Sequence, residues 1–172
     1  MRLYTLGTGN RHPLDFSRVL AKYGIEIIFD IRRLPLRELG FERDVLQQLC
    51  DAARVSYVFL GNELGADLNY RTWVAAEPVS RWLEVIRRKL ERRAACLLCR
   101  ELSPEYCRRR ALAEKLARAD IETVHILDDQ RLWRPAPGDP GLLAPAPRPA
   151  APRPAGRPGP WKGRGRDDRR RR

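Results

Sequence analysis

The chain has 172 residues, of which 34 are Lys or Arg and 22 are Asp or Glu, so its formal net charge is +12. Residues 130–172 hold 12 of the basic residues, 3 of the acidic residues and 10 of the 14 prolines. This composition predicts one ordinary domain over residues 1–129, followed by a disordered, basic Pro/Arg/Gly-rich tail over 130–172. No segment approaches the ~20 apolar residues of a membrane span, and the residues before Gly7 are too few for a signal peptide. We therefore expect a cytoplasmic protein that does not associate with membranes.

The hydrophobic pattern of residues 1–129 alternates between strand and helix periodicity. Residues 2–6 predict a strand that ends at the turn residues 7–10, and residues 14–23 and 26–31 predict a helix and a second strand. A helix over 41–53 and a strand over 56–60 follow, and then a helix over 79–90 and a strand over 95–99. Ser103 and Pro104 predict the start of a helix that runs to about residue 119, before a fifth strand at 122–126. The expected fold is a three-layer α/β domain, with a mostly parallel sheet of about five strands and helices on both faces.

Polar residues that follow the predicted strands mark a candidate site, because ligands of such sheets bind beyond the C-terminal strand ends. Cys107 should lie in the first turn of the helix after strand four, where the helix dipole favours a thiolate, and Arg108 and Arg109 would favour an anion there. We predict that Cys99, Glu101, Cys107 and Asp30 are catalytic and that Asn10, Arg32, Arg108 and Arg109 bind substrate.

The four cysteines, Cys50, Cys96, Cys99 and Cys107, do not suggest a disulfide framework. Cys96 and Cys99 have the spacing of a metal-binding pair, but residues three apart in a strand point to opposite faces, so no metal site is predicted. Cys50 and Cys96 are expected in the core. Cys99 and Cys107 could equally be small hydrophobic residues beneath a loop.

Five segments carry a family resemblance: Tyr4–Arg11, Asp30–Arg32 with Pro35, Leu64–Gly65, Leu97–Glu101 with Cys107–Arg109, and Val124–Ile126. Together they resemble the bacterial and archaeal domain-of-unknown-function family 488 over residues 3 to about 127. The resemblance implies a compact α/β domain of unassigned biochemistry. The resemblance also implies seven site residues: Asn10, Asp30, Arg32, Cys99, Glu101, Cys107 and Arg109. Thr8 and Arg108 stand where the family commonly has His, which implies altered or absent activity if those histidines transfer protons in relatives.

Two classes of function follow from these residues. The first is an enzyme that acts on a small anionic or nucleotide-like substrate through the Cys/Glu/Arg site. The second is a non-catalytic module that binds nucleotide or nucleic acid through the same arginines. Residues 148–172 could assist by binding nucleic acid without sequence preference, or could reflect compositional drift. Asp30 and Arg32 could instead form a structural ion pair. The sequence indicates neither a cofactor nor an oligomeric state.

Overall fold

The computed structural model of the protein describes residues 1–9, 11–35, 38–65, 70–105, 107–117 and 121–136. Its strands are β1 (Arg2–Gly7), β2 (Ile27–Asp30), β3 (Ser56–Phe59), β4 (Ala95–Cys99), β5 (Glu122–Ile126) and β6 (Leu132–Trp133). Its helices are α1 (Pro13–Lys22), α2 (Arg43–Ala52), α3 (Gly61–Leu64), α4 (Tyr70–Val74), α5 (Glu77–Leu90) and α6 (Arg108–Leu116). Within the described residues, no helix has the length and apolar character needed to cross a membrane.

The strands form one sheet in the order β3-β2-β4-β1-β5-β6. All neighbouring pairs are parallel except β5 and β6, which pair antiparallel. The predicted α/β architecture with a mostly parallel sheet is therefore confirmed. The two central strands, β4 and β1, bring their C-terminal ends to the same edge, since Gly7 lies opposite Cys99.

Helices cover both faces of the sheet, and the residues of β1, β2 and β4 are divided between two hydrophobic clusters. On one face, Leu3, Phe29 and Leu97 pack with the apolar residues of α3 to α6. On the other face, Leu6, Ile28 and Leu98 pack with those of α1 and α2. The strands β2 and β4 and most of β1 are thus buried on both sides, as expected of a parallel sheet between two helical layers.

Helix α6 begins later than the sequence predicts. The helix was expected to open at Ser103 and Pro104, but its N-cap is Cys107. Ser103 only closes a local turn, in which its hydroxyl accepts from the Glu105 N–H at 3.3 Å. The turn at Ser103 has the composition of a helix N-terminus without continuing into a helix.

Three short elements were not predicted: α3, α4 and β6. β6 lies beyond the predicted domain end at Asp129. Its residues Leu132 and Trp133 pair with Ile126 and His125 of β5, so the sheet continues past that point. The indole of Trp133 also stacks on the His125 ring, with 4.7 Å between the ring centroids. His125 itself is buried and hydrogen-bonds Thr5 Oγ1 through Nδ1 at 2.6 Å.

Candidate functional site

The candidate site lies where the loops after β1 and β4 meet. The Thr8 N–H donates to the Cys99 carbonyl at 2.9 Å, and the Gly9 N–H donates to the Arg100 carbonyl at 2.7 Å. Gly7 allows this close approach, because a Cβ at that position would lie 1.9 Å from the Glu101 carbonyl oxygen. The backbone that carries Glu101 is therefore held against β1.

Cys99, Glu101 and Cys107 form a compact group, which we call the Cys/Glu cluster. The thiols of Cys99 and Cys107 both donate to Glu101 Oε2, at 2.9 Å and 3.0 Å. One ligand atom from each residue lies within 4.8 Å of the other two. Both cysteines are almost fully buried, at 1% and 2% exposure, whereas Glu101 is exposed. Strand β4 supplies Cys99, the following loop supplies Glu101, and the N-cap of α6 supplies Cys107.

The contacts within the cluster set the order in which its groups titrate. Burial raises the pKa of Glu101, but hydrogen bonds from the two thiols outweigh it and leave the pKa at about 2. A hydrogen bond from the Cys99 thiol, helped by the nearby Arg109 cation, lowers the pKa of Cys107 against the effect of burial. The pKa of Cys99 is raised well above its ordinary value by its hydrogen bond with Cys107 and by burial. Cys107 is thus the more acidic of the two sulfurs, and Cys99 keeps its proton longest.

Cys50 and Cys96 lie apart from the cluster, on the opposite face of the sheet from Cys99. Both are fully buried, and burial raises the pKa of the Cys50 thiol to about 12 and that of Cys96 further still. Their predicted place in the core is confirmed. The opposite orientation predicted for Cys96 and Cys99 also agrees with the structure.

Arg109 lies beneath the cluster rather than in a ligand-binding position. Its side chain is fully buried, and its guanidinium donates to the carbonyls of Glu101 and Leu102, the latter at 2.8 Å. Its Nη1 also lies 3.6 Å from Cys107 Sγ. The loop after β4 therefore wraps around this guanidinium. The helix begins at Arg108 and directs Arg109 inward, where its guanidinium holds the loop after β4; its contact with a substrate stays a prediction.

Asp30 and Arg32 form a buried ion pair behind the site. Arg32 donates from Nε and Nη2 to the two Asp30 carboxylate oxygens at 2.9 Å and 2.8 Å. Its Nη1 donates to Glu38 Oε2 and to the Phe41 carbonyl. Tyr57 donates a further bond to Asp30 at 2.6 Å. The Asp30 carboxylate is fully buried and occupied by these partners, so the structural alternative fits it better than the catalytic role expected from the sequence.

A cleft of about 330 Å³ opens above the Cys/Glu cluster. Its lining includes Cys99, Glu101 and Glu38, together with four arginines: Arg32, Arg33, Arg100 and Arg108. Arg100 is largely exposed and lies 3.8 Å from a Glu38 oxygen. The lining carries four guanidinium groups and two carboxylates, which favours an anionic ligand.

The structure brings together six of the eight residues predicted for the site: Cys99, Glu101, Cys107, Arg32, Arg108 and Arg109. Asn10 lies outside the described residues. Sequence reasoning missed Arg33, Glu38 and Arg100, of which Glu38 accepts from both Arg32 and the Thr8 hydroxyl. For Arg33 and Arg100 the available signal was their position shortly after β2 and β4, at the edge where ligands bind, whereas Glu38 lies eight residues beyond β2.

The comparison with protein families identifies the domain. The profile of the family "Domain of unknown function DUF488" matches residues 14–116. The chain belongs to this family. The match begins at α1 and ends with α6, so it contains the Cys/Glu cluster and all the residues that line the cleft. Neither a curated protein nor a solved structure matches the chain.

Proposed function

We propose that this DUF488 domain is an enzyme that acts on a small anionic or nucleotide-like substrate at the Cys/Glu cluster. One observation carries the proposal: Cys99 and Glu101 line the same cleft as four arginines. A thiol, a carboxylate and a cationic wall thus face one volume large enough for a phosphate-bearing metabolite.

The residues of the cleft divide into two roles. Arg108 and Arg100 bind the anionic group of the substrate, while Arg32, paired with Asp30 and Glu38, holds the wall of the cleft in place. A cysteine of the cluster attacks an electrophilic atom of the substrate, and its proton passes to Glu101 Oε2, which touches both sulfurs. The sulfur lone pair forms the new bond, and the leaving group departs with its bonding electrons and takes the proton from Glu101. Water then releases the bound fragment from sulfur.

Alkylation of metal-free protein tests this proposal. Chelator-treated protein is exposed to iodoacetamide at neutral pH, with and without inorganic phosphate or a nucleotide, and modification of each cysteine is followed by mass spectrometry. We expect Cys99 or Cys107 to react well before Cys50 and Cys96, and the anion to slow that reaction. Arg108→Ala should weaken the protection by about 10- to 100-fold, the equivalent of a lost hydrogen bond to a charged group.

Two results would overturn the proposal in different ways. If all four cysteines react only on unfolding, the sulfurs are packing residues. If the anion binds but leaves the reactivity of the cluster unchanged, the domain is a binding module rather than a thiol enzyme.

The basic tail carries a separate proposal. The 12 basic residues of 130–172 lie among glycine and proline, with Trp161 near the end. We infer that residues 148–172 hold nucleic acid through phosphate contacts without sequence preference. Because β6 pairs with β5, we also infer that the folded domain ends after Trp133 rather than at Asp129.

A further inference from the structure

We propose that the Cys/Glu cluster binds one Zn²⁺ through the two thiolates of Cys99 and Cys107 and the carboxylate of Glu101. The inference concerns metal binding alone and holds whether or not the domain is a thiol enzyme.

The chemistry of the three donors fits this ion. Two sulfurs and one carboxylate oxygen are a donor set that zinc accepts and that magnesium and calcium do not prefer. Tetrahedral zinc, with Zn–S of about 2.3 Å and Zn–O of about 2.1 Å, separates neighbouring sulfur and oxygen ligands by about 3.6 Å. The sulfurs lie 2.9 Å and 3.0 Å from Glu101 Oε2, joined by thiol hydrogen bonds. Replacing the two thiol protons with the ion thus requires each sulfur–oxygen distance to widen by only about 0.6–0.7 Å, and all three ligand atoms already lie within 4.8 Å of one another.

The surroundings of the cluster compensate the charge of such a centre. Two thiolates and a carboxylate around Zn²⁺ leave a net charge of −1. Arg109 lies 3.6 Å from Cys107 Sγ and also holds the Glu101 carbonyl, so it can donate to a ligating sulfur and fix the loop that carries the carboxylate. Arg108 lies in the wall of the cleft that Glu101 also lines. Such outer contacts orient ligands and stabilise their charged forms.

The cluster is open on one side. Cys99 and Glu101 line the cleft, so three protein ligands would leave a fourth position that faces the cleft and its arginines. Structural zinc sites are commonly closed by four protein ligands, whereas an open position is typical of sites where water or a substrate binds. The fourth ligand should therefore be water or an anion.

Co²⁺ substitution in the full-length chain tests the proposal. Chelator-treated protein is titrated with Co²⁺, and the thiolate-to-cobalt charge-transfer absorption and the visible bands of tetrahedral cobalt are recorded. We expect one Co²⁺ per chain, with charge-transfer intensity for two thiolates, and full displacement by Zn²⁺. Glu101→Gln should keep the thiolate absorption but weaken Zn²⁺ binding. Cys99→Ser and Cys107→Ser should each weaken it by more than about 100-fold, since even the loss of an outer contact costs about 10- to 100-fold.

Cys50→Ala and Cys96→Ala are matched controls, because each removes a buried thiol on the opposite face of the sheet. Both should retain the cobalt spectrum. A measurement on the unaltered chain guards against variants that fail to fold: bound Zn²⁺ should protect Cys99 and Cys107 from iodoacetamide, and chelator should restore their reactivity. A wild-type chain without thiolate absorption, or a Cys99→Ser/Cys107→Ser double variant that keeps it, would overturn the proposal. Anion protection in the metal-free chain tests the proposed enzyme separately, so either idea can fail alone.

Discussion

Arg109→Ala should destabilise the domain strongly, although the sequence alone suggests a replaceable ligand-binding arginine. The side chain is fully buried and donates to the carbonyls of Glu101 and Leu102. Alanine leaves both carbonyls without this donor, which lowers the free energy of unfolding by about 1–3 kcal/mol for each lost hydrogen bond. It also leaves a cavity beneath the loop. The partner-free Nε–H of the arginine is removed as well, which offsets part of the loss. We expect the free energy of unfolding to fall by about 2–4 kcal/mol.

Urea unfolding followed by circular dichroism measures this change, with Arg100→Ala as the matched control. Arg100 is adjacent to the same loop, but its side chain is 71% exposed and its ion pair with Glu38 spans 3.8 Å. The control should therefore cost less than about 0.5 kcal/mol. If both variants unfold at the same urea concentration as the unaltered chain, the guanidinium of Arg109 does not hold the loop and the positioning role is wrong.

Four further predictions follow from other parts of the structure. Asp30→Ala should lower the free energy of unfolding in urea by about 3–5 kcal/mol, because it removes the buried carboxylate that pairs with Arg32. Tyr57→Phe removes one hydrogen bond to the same carboxylate and should lower it by about 1.5–3 kcal/mol. Equal small effects would contradict the buried pair. Gly7→Ala should lower the free energy of unfolding by about 1–3 kcal/mol, because the new Cβ displaces the Glu101 carbonyl. At Gly24 a Cβ meets no atom within 4 Å, so Gly24→Ala should lower it by about 1 kcal/mol through the φ of +58° alone. A larger loss at Gly24 than at Gly7 would refute this ranking. Hydrogen bonds from the backbone N–H groups of Gln130 and Arg131, with the Arg131 side chain, hold the pKa of Asp128 at about 2. The stabilisation of the β5–β6 turn by Asp128 should therefore be complete above the ordinary pKa of an aspartate and lost as the pH falls toward about 2. A carboxyl ¹³C titration with a midpoint near about 4 would exclude this stabilisation. Deleting residues 137–172 should leave cooperative thermal unfolding intact while weakening nucleic-acid binding and reducing its salt dependence; unchanged binding at low salt would remove the proposed role of the tail.

The sequence predicts the architecture because strand and helix periodicities survive without tertiary information. Parallel pairing follows from the length of the helical crossovers, and the strand ends locate the site at one edge of the sheet. Cys99 and Glu101 are therefore predictable as neighbours. Cys107 is predictable too, although its position at the N-cap differs from the expected first turn.

The predicted start of α6 is wrong because the competing interaction joins residues too far apart for local propensity to report it. Ser103, Pro104 and Glu105 have the composition of a helix N-terminus, and local propensity supports a start there. The carbonyls of Glu101 and Leu102 instead bond a guanidinium seven or eight residues further along the chain. Hydrogen bonds of this kind determine the backbone path but leave no periodic signal in the sequence.

The helix also separates the two neighbouring arginines. Consecutive helical residues point about 100° apart, but the sequence alone does not show which of Arg108 and Arg109 faces inward, so it assigns both to substrate. With Cys107 as the N-cap, Arg109 begins the buried stripe that continues through Leu112, Ala113 and Leu116, while Arg108 stays at the cleft. The cation of Arg109 consequently reaches Cys107 from below, and that of Arg108 lines the cleft from above. The two charges act on one cluster, but of these two arginines only Arg108 lines the cleft. Substitution of Arg108 should therefore weaken anion binding, whereas substitution of Arg109 should mainly lower the free energy of unfolding.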